Sequence, residues 1–147
     1  MLRPQILAWA IFVFAAAQPV RAEPVEVFKT ATCGCCGEWV SHMQTNGFTP
    51  STKDIAAGAL ARLKIQVGLK NPDLHSCHTA KVGGYIVEGH VPAEDVKRLL
   101  AEKPDAVGIT VPGMPLGSPG MEAGNRKEAY EVLLVKRDGT TSVFARH

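Results

Sequence analysis

The chain has 147 residues, of which 46% are hydrophobic, 20% charged and 6% aromatic, and its formal net charge is +2. These values fit one globular domain and exclude a low-complexity or fibrous protein. The excess charge lies in the first 22 residues, because residues 23–147 hold 14 basic and 14 acidic side chains. A domain without net charge has no strong attraction to nucleic acid or to an anionic membrane, so we expect neither as a partner.

The N-terminal segment has the pattern of a signal peptide. Arg3 precedes an apolar run at residues 6–17, and Val20 and Ala22 supply small side chains at the usual cleavage spacing. The run is too short to span a bilayer, which needs about 20 residues. We therefore predict a signal peptide at residues 1–22 and one domain at residues 23–147, exported into an oxidising compartment.

The first half of this domain predicts two strands that alternate with two helices. Strands are indicated by alternating apolar and polar residues, and helices by apolar residues three and four positions apart. A break at Asn71 and Pro72 ends the second helix. In chain order the predicted strand, helix, strand and helix lie at residues 24–30, 37–46, 48–55 and 56–67.

The second half predicts two hairpins separated by a helix and a long loop. We expect a strand at residues 80–87 that turns at Glu88 and Gly89 into a short strand at 90–91. A helix then opens at Pro92 and ends before Pro104. The remaining predicted elements are an irregular loop at 104–128 and a hairpin of strands 129–137 and 140–145 about an Asp-Gly turn. This order is typical of a thioredoxin-like α/β sandwich with a mixed sheet, followed by a Gly/Pro/Met loop and a C-terminal β-hairpin.

The four cysteines are Cys33, Cys35, Cys36 and Cys77. Two structural disulfides would be one use of them in an exported protein. However, three of the four fall within four residues, and bridges inside such a cluster close very small loops and stabilise little. A domain of about 125 residues can also bury enough surface to fold without disulfides. The cysteines therefore favour chemistry over structure.

Two kinds of chemistry remain open at this cluster. Cys33 and Cys36 have Cys-x-x-Cys spacing at a helix N-terminus, which lowers thiol pKa values and is typical of thiol-disulfide oxidoreductases. The third thiol, Cys35, would interfere with a simple dithiol exchange, whereas adjacent thiolates suit a soft cation such as Cu(I). Zinc is the less favoured metal, because its usual pair-plus-pair cysteine spacing is missing. Topology predicts that Cys77 lies beside the cluster, so that several copper ions could share four sulfurs.

Histidine and methionine side chains extend the candidate metal site. His75 and His78 flank Cys77 and are candidates to bind Cu(II) or zinc or to tune the protonation of nearby groups, with His78 the better candidate because it adjoins a predicted strand. The remaining histidines, His42, His90 and His147, are expected to lie outside the site. Met114 and Met121 lie in the long loop, where they fit no helix or strand pattern, and they are candidate thioether ligands or a shield against water.

Several short motifs together resemble one known family. They are CGCC at residues 33–36, SCHTA at 76–80, GY at 84–85, EGHVP at 88–92, PGMP at 112–115 and GSPGME at 117–122. With these motifs the chain resembles the CopG-type periplasmic copper-resistance proteins, long described as a domain of unknown function. The resemblance covers nearly all of residues 23–147 and has no departure at the cysteine positions.

The resemblance implies a function as well as a fold. It implies a thioredoxin-like domain in the periplasm that binds copper at the four cysteines, beside other copper-resistance proteins. A role in interconverting Cu(I) and Cu(II), or in handing copper on, would make the protein a possible copper oxidoreductase. The alternatives from the residues alone remain a thiol-disulfide oxidoreductase using Cys33 and Cys36, and a module with two inert disulfides.

Overall fold

The computed structural model describes residues 22–147, and the predicted signal peptide lies outside the described residues except for Ala22. These residues form three helices and one mixed seven-stranded sheet. The α/β class and the mixed sheet are thus confirmed. In chain order the elements are β1 (Pro24–Lys29), α1 (Gly34–Thr45), β2 (Thr49–Asp54), α2 (Ala57–Gln66), a 3₁₀ turn (Pro72–Leu74), β3 (Thr79–Val82), β4 (Tyr85–Glu88), α3 (Ala93–Glu102), β5 (Gly108–Thr110), β6 (Glu131–Val135) and β7 (Thr141–Arg146).

The sheet has the strand order β2-β1-β3-β4-β5-β6-β7. The β1–β2 and β4–β5 pairs are parallel, and the other four pairs are antiparallel. Because side chains alternate along a strand, the register assigns residues to two faces. Val27, Ala80 and Val87 lie side by side on one face, and Thr79 and Glu88 are partners on the other.

The two faces bury different helices. Helices α1 and α3 cover the first face, where Trp39, Met43 and Leu99 are fully buried against the strand residues in the main hydrophobic core. Helix α2 covers the other face, where Lys64 reaches Thr79 and Glu88. None of the helices in residues 22–147 is long and apolar enough to cross a membrane.

Of the two predicted hairpins, the C-terminal one is confirmed and the first differs from the prediction. The C-terminal hairpin is confirmed as β6 and β7, with the turn at the predicted Asp-Gly pair. The single strand predicted at residues 80–87 is wrong, because it consists of β3 and β4 joined by a turn at Gly83 and Gly84. Both glycines have positive φ values, of 53° and 84°, which a continuous strand does not allow. The predicted strand at 90–91 is likewise irregular.

Two further differences affect the site. Helix α1 begins at Gly34, three residues earlier than predicted, so that Cys35 and Cys36 lie in its first turn and Cys33 is the N-cap. The predicted loop at residues 104–128 contains β5, a three-residue strand that joins β4 to β6. A strand this short carries too few residues for an alternating pattern to be recognised in the sequence.

Candidate metal centre

The four cysteine sulfurs meet at the N-terminus of α1. Cys33, Cys35 and Cys36 come from the cap and first turn of the helix, and Cys77 from the segment that leads into β3. Because β1 and β3 are antiparallel neighbours, the C-terminal end of β1 and the N-terminal end of β3 lie side by side. The four Sγ atoms all lie within 4.8 Å of one another. The expectation that Cys77 joins the cluster is therefore correct.

The cluster holds both a disulfide and free thiols. Cys33 and Cys36 form a disulfide with a Cα–Cα distance of 5.4 Å, while Cys35 and Cys77 are free. The Sγ atom of Cys35 lies 3.6 Å from that of Cys33 and 4.0 Å from that of Cys77. Burial, and then the neighbouring Cys35 thiol, raise the pKa of Cys77 to about 12. Without a metal Cys77 is therefore a protonated thiol, and a cation that binds it must displace that proton.

A second group of donors adjoins the first through Cys77. Ligand atoms of Cys77, His78 and His90 lie within 4.8 Å of one another. His90 Nε2 is 3.0 Å from Cys77 Sγ, and His78 Nδ1 is 3.4 Å from the same sulfur. The expectation that His90 lies outside the site was wrong. The β3–β4 hairpin pairs Thr79 with Glu88 and so brings residue 90 back beside residue 77.

The hydrogen bonds of His90 determine which of its two ring nitrogens carries the hydrogen. The carbonyl oxygen of Pro119 lies 2.8 Å from Nδ1 and can only accept, so Nδ1 carries the hydrogen. Burial lowers the pKa of His90 and keeps the imidazole neutral, which leaves an acceptor lone pair on Nε2. This lone pair points to the Cys77 thiol, which donates to it. A carbonyl bound to the far nitrogen is the usual arrangement behind a metal-binding histidine.

His78 is fully buried and has a nitrogen with no partner. Its Nε2 atom is the one buried side-chain nitrogen or oxygen among residues 22–147 that lacks a hydrogen bond. Burial, followed by the charges of His90 and Lys64, holds the pKa of His78 well below its usual range. Its ring lies 4.5 Å from that of Trp39 and edge-on to that of His90. An unpaired buried nitrogen is costly. The unpaired atom is Nε2, whereas Nδ1 is the nitrogen that lies 3.4 Å from the Cys77 sulfur, so a metal held by Nδ1 beside Cys77 would leave Nε2 unpaired.

The other histidines have structural partners. His75 donates from Nε2 to the carbonyl oxygen of Leu69 at 2.8 Å and belongs to neither donor group. His42 accepts the backbone N–H of Ala93 at the start of α3. His147 lies 2.7 Å from the carboxylate of Asp95. The expectation that His42 and His147 lie outside the site agrees with these contacts.

The methionine loop, the stretch between β5 and β6 that carries Met114 and Met121, packs against the first turn of α1. Gly120 comes so close that a Cβ atom there would lie 2.8 Å from the carbonyl oxygen of Cys35 and from the amide nitrogen of Trp39. Met121 is the next residue in the chain. Met114, at 51% exposure, lies farther out, beside Gly113, whose amide donates to the carbonyl oxygen of His75. The loop thus adjoins the cysteine cluster on one side and the Cys77 segment on the other.

The donor set itself tests which metals suit the site. The two groups offer sulfur and imidazole nitrogen and no carboxylate oxygen. Ca²⁺ and Mg²⁺ prefer oxygen ligands, whereas copper and zinc accept sulfur and imidazole. The residues present therefore fit a copper or zinc ion and do not fit a hard cation.

Two solved structures have the same fold over most of the chain. The structure described as copper resistance protein CopG, form 2, matches with a TM-score of 0.79 and 43% sequence identity, covering 86% of this chain and 98% of that one. The chain belongs to the CopG family of copper resistance proteins. Form 1 of the same protein matches with the same score and identity over 84% of this chain and 96% of that one.

A family model also matches part of the sequence. The model described as a protein of unknown function, DUF411, matches residues 74–121, which include Cys77, both histidines of the second group, Met114 and Met121. No curated protein matches the chain. The resemblance noted from the short motifs is thus confirmed, and this member of the CopG family carries a cysteine cluster able to hold a metal.

Proposed function

We propose that this protein is a periplasmic copper-binding protein of copper resistance, and that it holds Cu(I) through Cys33, Cys35, Cys36 and Cys77 once the disulfide is reduced. The observation that carries the proposal is the meeting of four sulfurs within 4.8 Å. Cu(I) prefers soft sulfur ligands, which is the chemistry of this donor set. The two similar structures are those of a copper resistance protein, which supports copper over zinc.

The spacing of the sulfurs favours more than one copper ion. Cys35 Sγ has neighbouring sulfurs at 3.6 and 4.0 Å, so its thiolate can bridge metal ions that the others also contact. His78 supplies a nitrogen donor next to Cys77, and His90 offers a second. Met121 follows the glycine that packs on α1, and Met114 is a more exposed thioether on the same loop. We assign both methionines as outer ligands or as a shield against water.

The dithiol and the copper ions form a balanced redox pair. When two Cu(II) ions each take one electron from the thiolates of Cys33 and Cys36, the products are two Cu(I) ions and one disulfide bond. The reverse step breaks the disulfide, and each sulfur gains one electron from a Cu(I) ion. We propose that the protein interconverts Cu(I) and Cu(II) in this way, or hands copper on to other periplasmic copper proteins. In the disulfide state Cys35 and Cys77 remain as sulfur ligands for Cu(I), and all four sulfurs are available to it only in the dithiol state.

The location and the finer fold are part of the same proposal. The N-terminal pattern at residues 1–22 is typical of export, and a disulfide is expected in an oxidising compartment such as the periplasm. The β1–α1–β2–α2–β3–β4–α3 unit, with its Cys-x-x-Cys pair at the first helix, supports a thioredoxin-like domain. In this interpretation the methionine loop and the β6–β7 hairpin are the additions to that domain.

An anaerobic Cu(I) titration of the reduced protein against a competing chelator tests the metal site. We expect several tightly bound copper ions per chain, and a sharp decrease in Cys35→Ser and in Cys77→Ser. Ser41→Ala is the matched control, because this residue of α1 is exposed and its hydroxyl donates only to the Gly37 carbonyl oxygen. Unchanged copper binding in Cys35→Ser would contradict a site with shared sulfurs, and preferential zinc binding would reassign the metal.

One observation favours a second candidate function. The Cys33–Cys36 disulfide at a helix N-terminus is the oxidised form expected of a thiol-disulfide oxidoreductase. That function needs only these two sulfurs. It therefore predicts turnover with insulin or glutathione that persists in Cys35→Ser and Cys77→Ser. The copper proposal predicts that such turnover is weak in the unsubstituted protein.

A further inference from the structure

The segment that carries Cys77 and His78 is held at both of its ends by one carboxylate. Glu88 Oε1 accepts the backbone N–H of Ser76 at 2.7 Å, and Oε2 accepts the hydroxyl of Thr79 at 2.7 Å. Ser76 directly precedes Cys77, and Thr79 directly follows His78. The two metal-ligand candidates of this segment thus lie between the two groups that Glu88 binds.

A buried lysine completes the arrangement from α2. Lys64 Nζ donates to Glu88 Oε1 and, at 2.9 Å, to the hydroxyl of Thr79. Glu88 is fully buried and the Lys64 side chain is 6% exposed. Each oxygen of the carboxylate therefore has its own partners, and Glu88 and Thr79 are opposite each other in the β3–β4 register.

Stability alone is a poor explanation of this buried ion pair. Removing two charges from water is costly, and well-packed apolar residues of similar volume often give an equally or more stable protein. An apolar pair at these positions would, however, leave the Ser76 amide without its acceptor. What Glu88 adds over a hydrocarbon side chain is therefore the position of the backbone next to Cys77.

The same end of β4 also positions the third ligand candidate. Gly89 donates its N–H to the carbonyl oxygen of His78 at 3.1 Å, and His90 follows it. Gly89 has a φ of 74°, and a Cβ there would lie 2.5 Å from the Cβ of Ser76. Only glycine allows the two segments to approach this closely. Glu88 thus lies where the backbones that carry Cys77, His78 and His90 are joined.

We propose that Glu88, fixed by Lys64 and Thr79, is a positioning residue that holds Cys77 and His78 in a metal-binding arrangement before the metal arrives. The proposal rests on the copper site proposed above. Glu88 does not itself belong to either donor group and acts through the Ser76 amide and the Thr79 hydroxyl. Groups that orient metal ligands in this way commonly change metal affinity by about 10–100-fold when they are replaced.

Two double variants separate the hydrogen bonds from the charge. In Lys64→Met with Glu88→Gln, the charges are gone but an amide oxygen remains to accept the Ser76 N–H. In Lys64→Met with Glu88→Met, the charges and the acceptor are both gone, at nearly the same side-chain length. Asp95→Asn is the control for a buried carboxylate whose partners, His147 and Arg98, lie outside the donor groups.

The measurements are Cu(I) affinity by chelator competition in the full chain and hydrogen exchange of the Ser76 amide in the metal-free protein. We expect the Gln variant and the Asp95→Asn control to keep affinity within about threefold of the unsubstituted protein. In the variant with Glu88→Met, we expect the Cu(I) affinity to fall by about 10–100-fold and the Ser76 amide to exchange faster. Urea unfolding of each variant shows whether the fold is intact.

Three outcomes distinguish the inference from the function on which it rests. Equal copper affinity of the Gln and Met variants, both folded, would overturn the positioning role of Glu88. If the Met variant does not fold, Thr79→Val decides, since it removes one of the two contacts while Lys64 and Glu88 stay paired; unchanged affinity there overturns the role as well. If the unsubstituted protein binds no Cu(I) tightly, the proposed function fails instead, whatever the exchange of the Ser76 amide shows.

Discussion

Gly120 provides the most direct test of the contact between the methionine loop and the cysteine cluster. An alanine at this position would destabilise the fold in two ways, through its backbone conformation and through its packing. Its φ of 85° is unfavourable for any residue with a Cβ and costs about 1–2 kcal/mol. The new Cβ would also lie 2.8 Å from the carbonyl oxygen of Cys35 and from the amide nitrogen of Trp39, both of which are backbone atoms of α1.

The free-energy cost of the packing clash follows from the distance of 2.8 Å between the new Cβ and the backbone of α1. Ordinary contact begins near 3.5 Å, so the loop must withdraw from α1 by about 0.7 Å. Overpacking of this kind typically costs about 1–3 kcal/mol. Gly120→Ala should therefore lower the free energy of unfolding by about 2–5 kcal/mol. The withdrawal also moves Pro119, whose carbonyl oxygen orients His90, so we expect weaker copper binding as well.

Gly124→Ala is the matched control. Gly124 lies on the same loop with a φ of 60°, but a Cβ there meets nothing within 4 Å. We expect the free energy of unfolding of this variant to fall only by the cost of the backbone conformation, about 1–2 kcal/mol, and its copper affinity to be unchanged. Urea unfolding of both reduced, metal-free variants measures the difference. Equal destabilisation by the two substitutions would refute the close packing of the loop on α1.

Two other predictions concern single side chains. Burial lowers the pKa of His42, whose Nε2 accepts the Ala93 amide, so the unfolded chain takes up the proton first and the free energy of unfolding falls as the pH drops through about 6.5. Unfolding measured between pH 8 and pH 5 should show a smaller fall in His42→Gln, and the same fall in both proteins would contradict the neutral acceptor. Trp39, the single tryptophan of residues 23–147, lies 4.5 Å from the His78 ring, so copper should quench its fluorescence and a chelator should restore it. Quenching that is unchanged in His78→Gln would exclude His78 as a ligand of the metal that quenches Trp39.

The sequence predicted the cysteine cluster because its parts follow simple rules. Three cysteines fall within four residues, and the patterns around them predict a strand before the cluster and another strand after Cys77. The place of Cys77 then followed from the order of strands and helices. The boundary error at α1 did not alter this result, since starting the helix three residues earlier still leaves the cysteines at its N-terminus.

His90 could not be found by the same rules. Its position depends on the turn at Gly83 and Gly84, which divides an apparently continuous strand into β3 and β4. Two adjacent glycines within a strand pattern were the signal for that turn. Placing the turn there makes Thr79 and Glu88 opposite partners and returns residue 90 to the vicinity of Cys77. The buried Lys64–Glu88 pair had no sequence signal, because a charged residue on a helix usually indicates a solvent-exposed face.

The cysteine cluster joins two parts of the chain that are far apart in sequence. Cys35 and Cys77 are separated by 42 residues, and a metal bound to both exists only while β1, α1 and β3 are assembled. A ligand that binds only the folded chain stabilises it by mass action, about 2.7 kcal/mol at a free concentration 100 times its dissociation constant. Proteases that cut the opened chain would then remove the copper-free protein faster than the loaded one. The amount of this protein would thus rise with the copper supply even at a constant rate of synthesis.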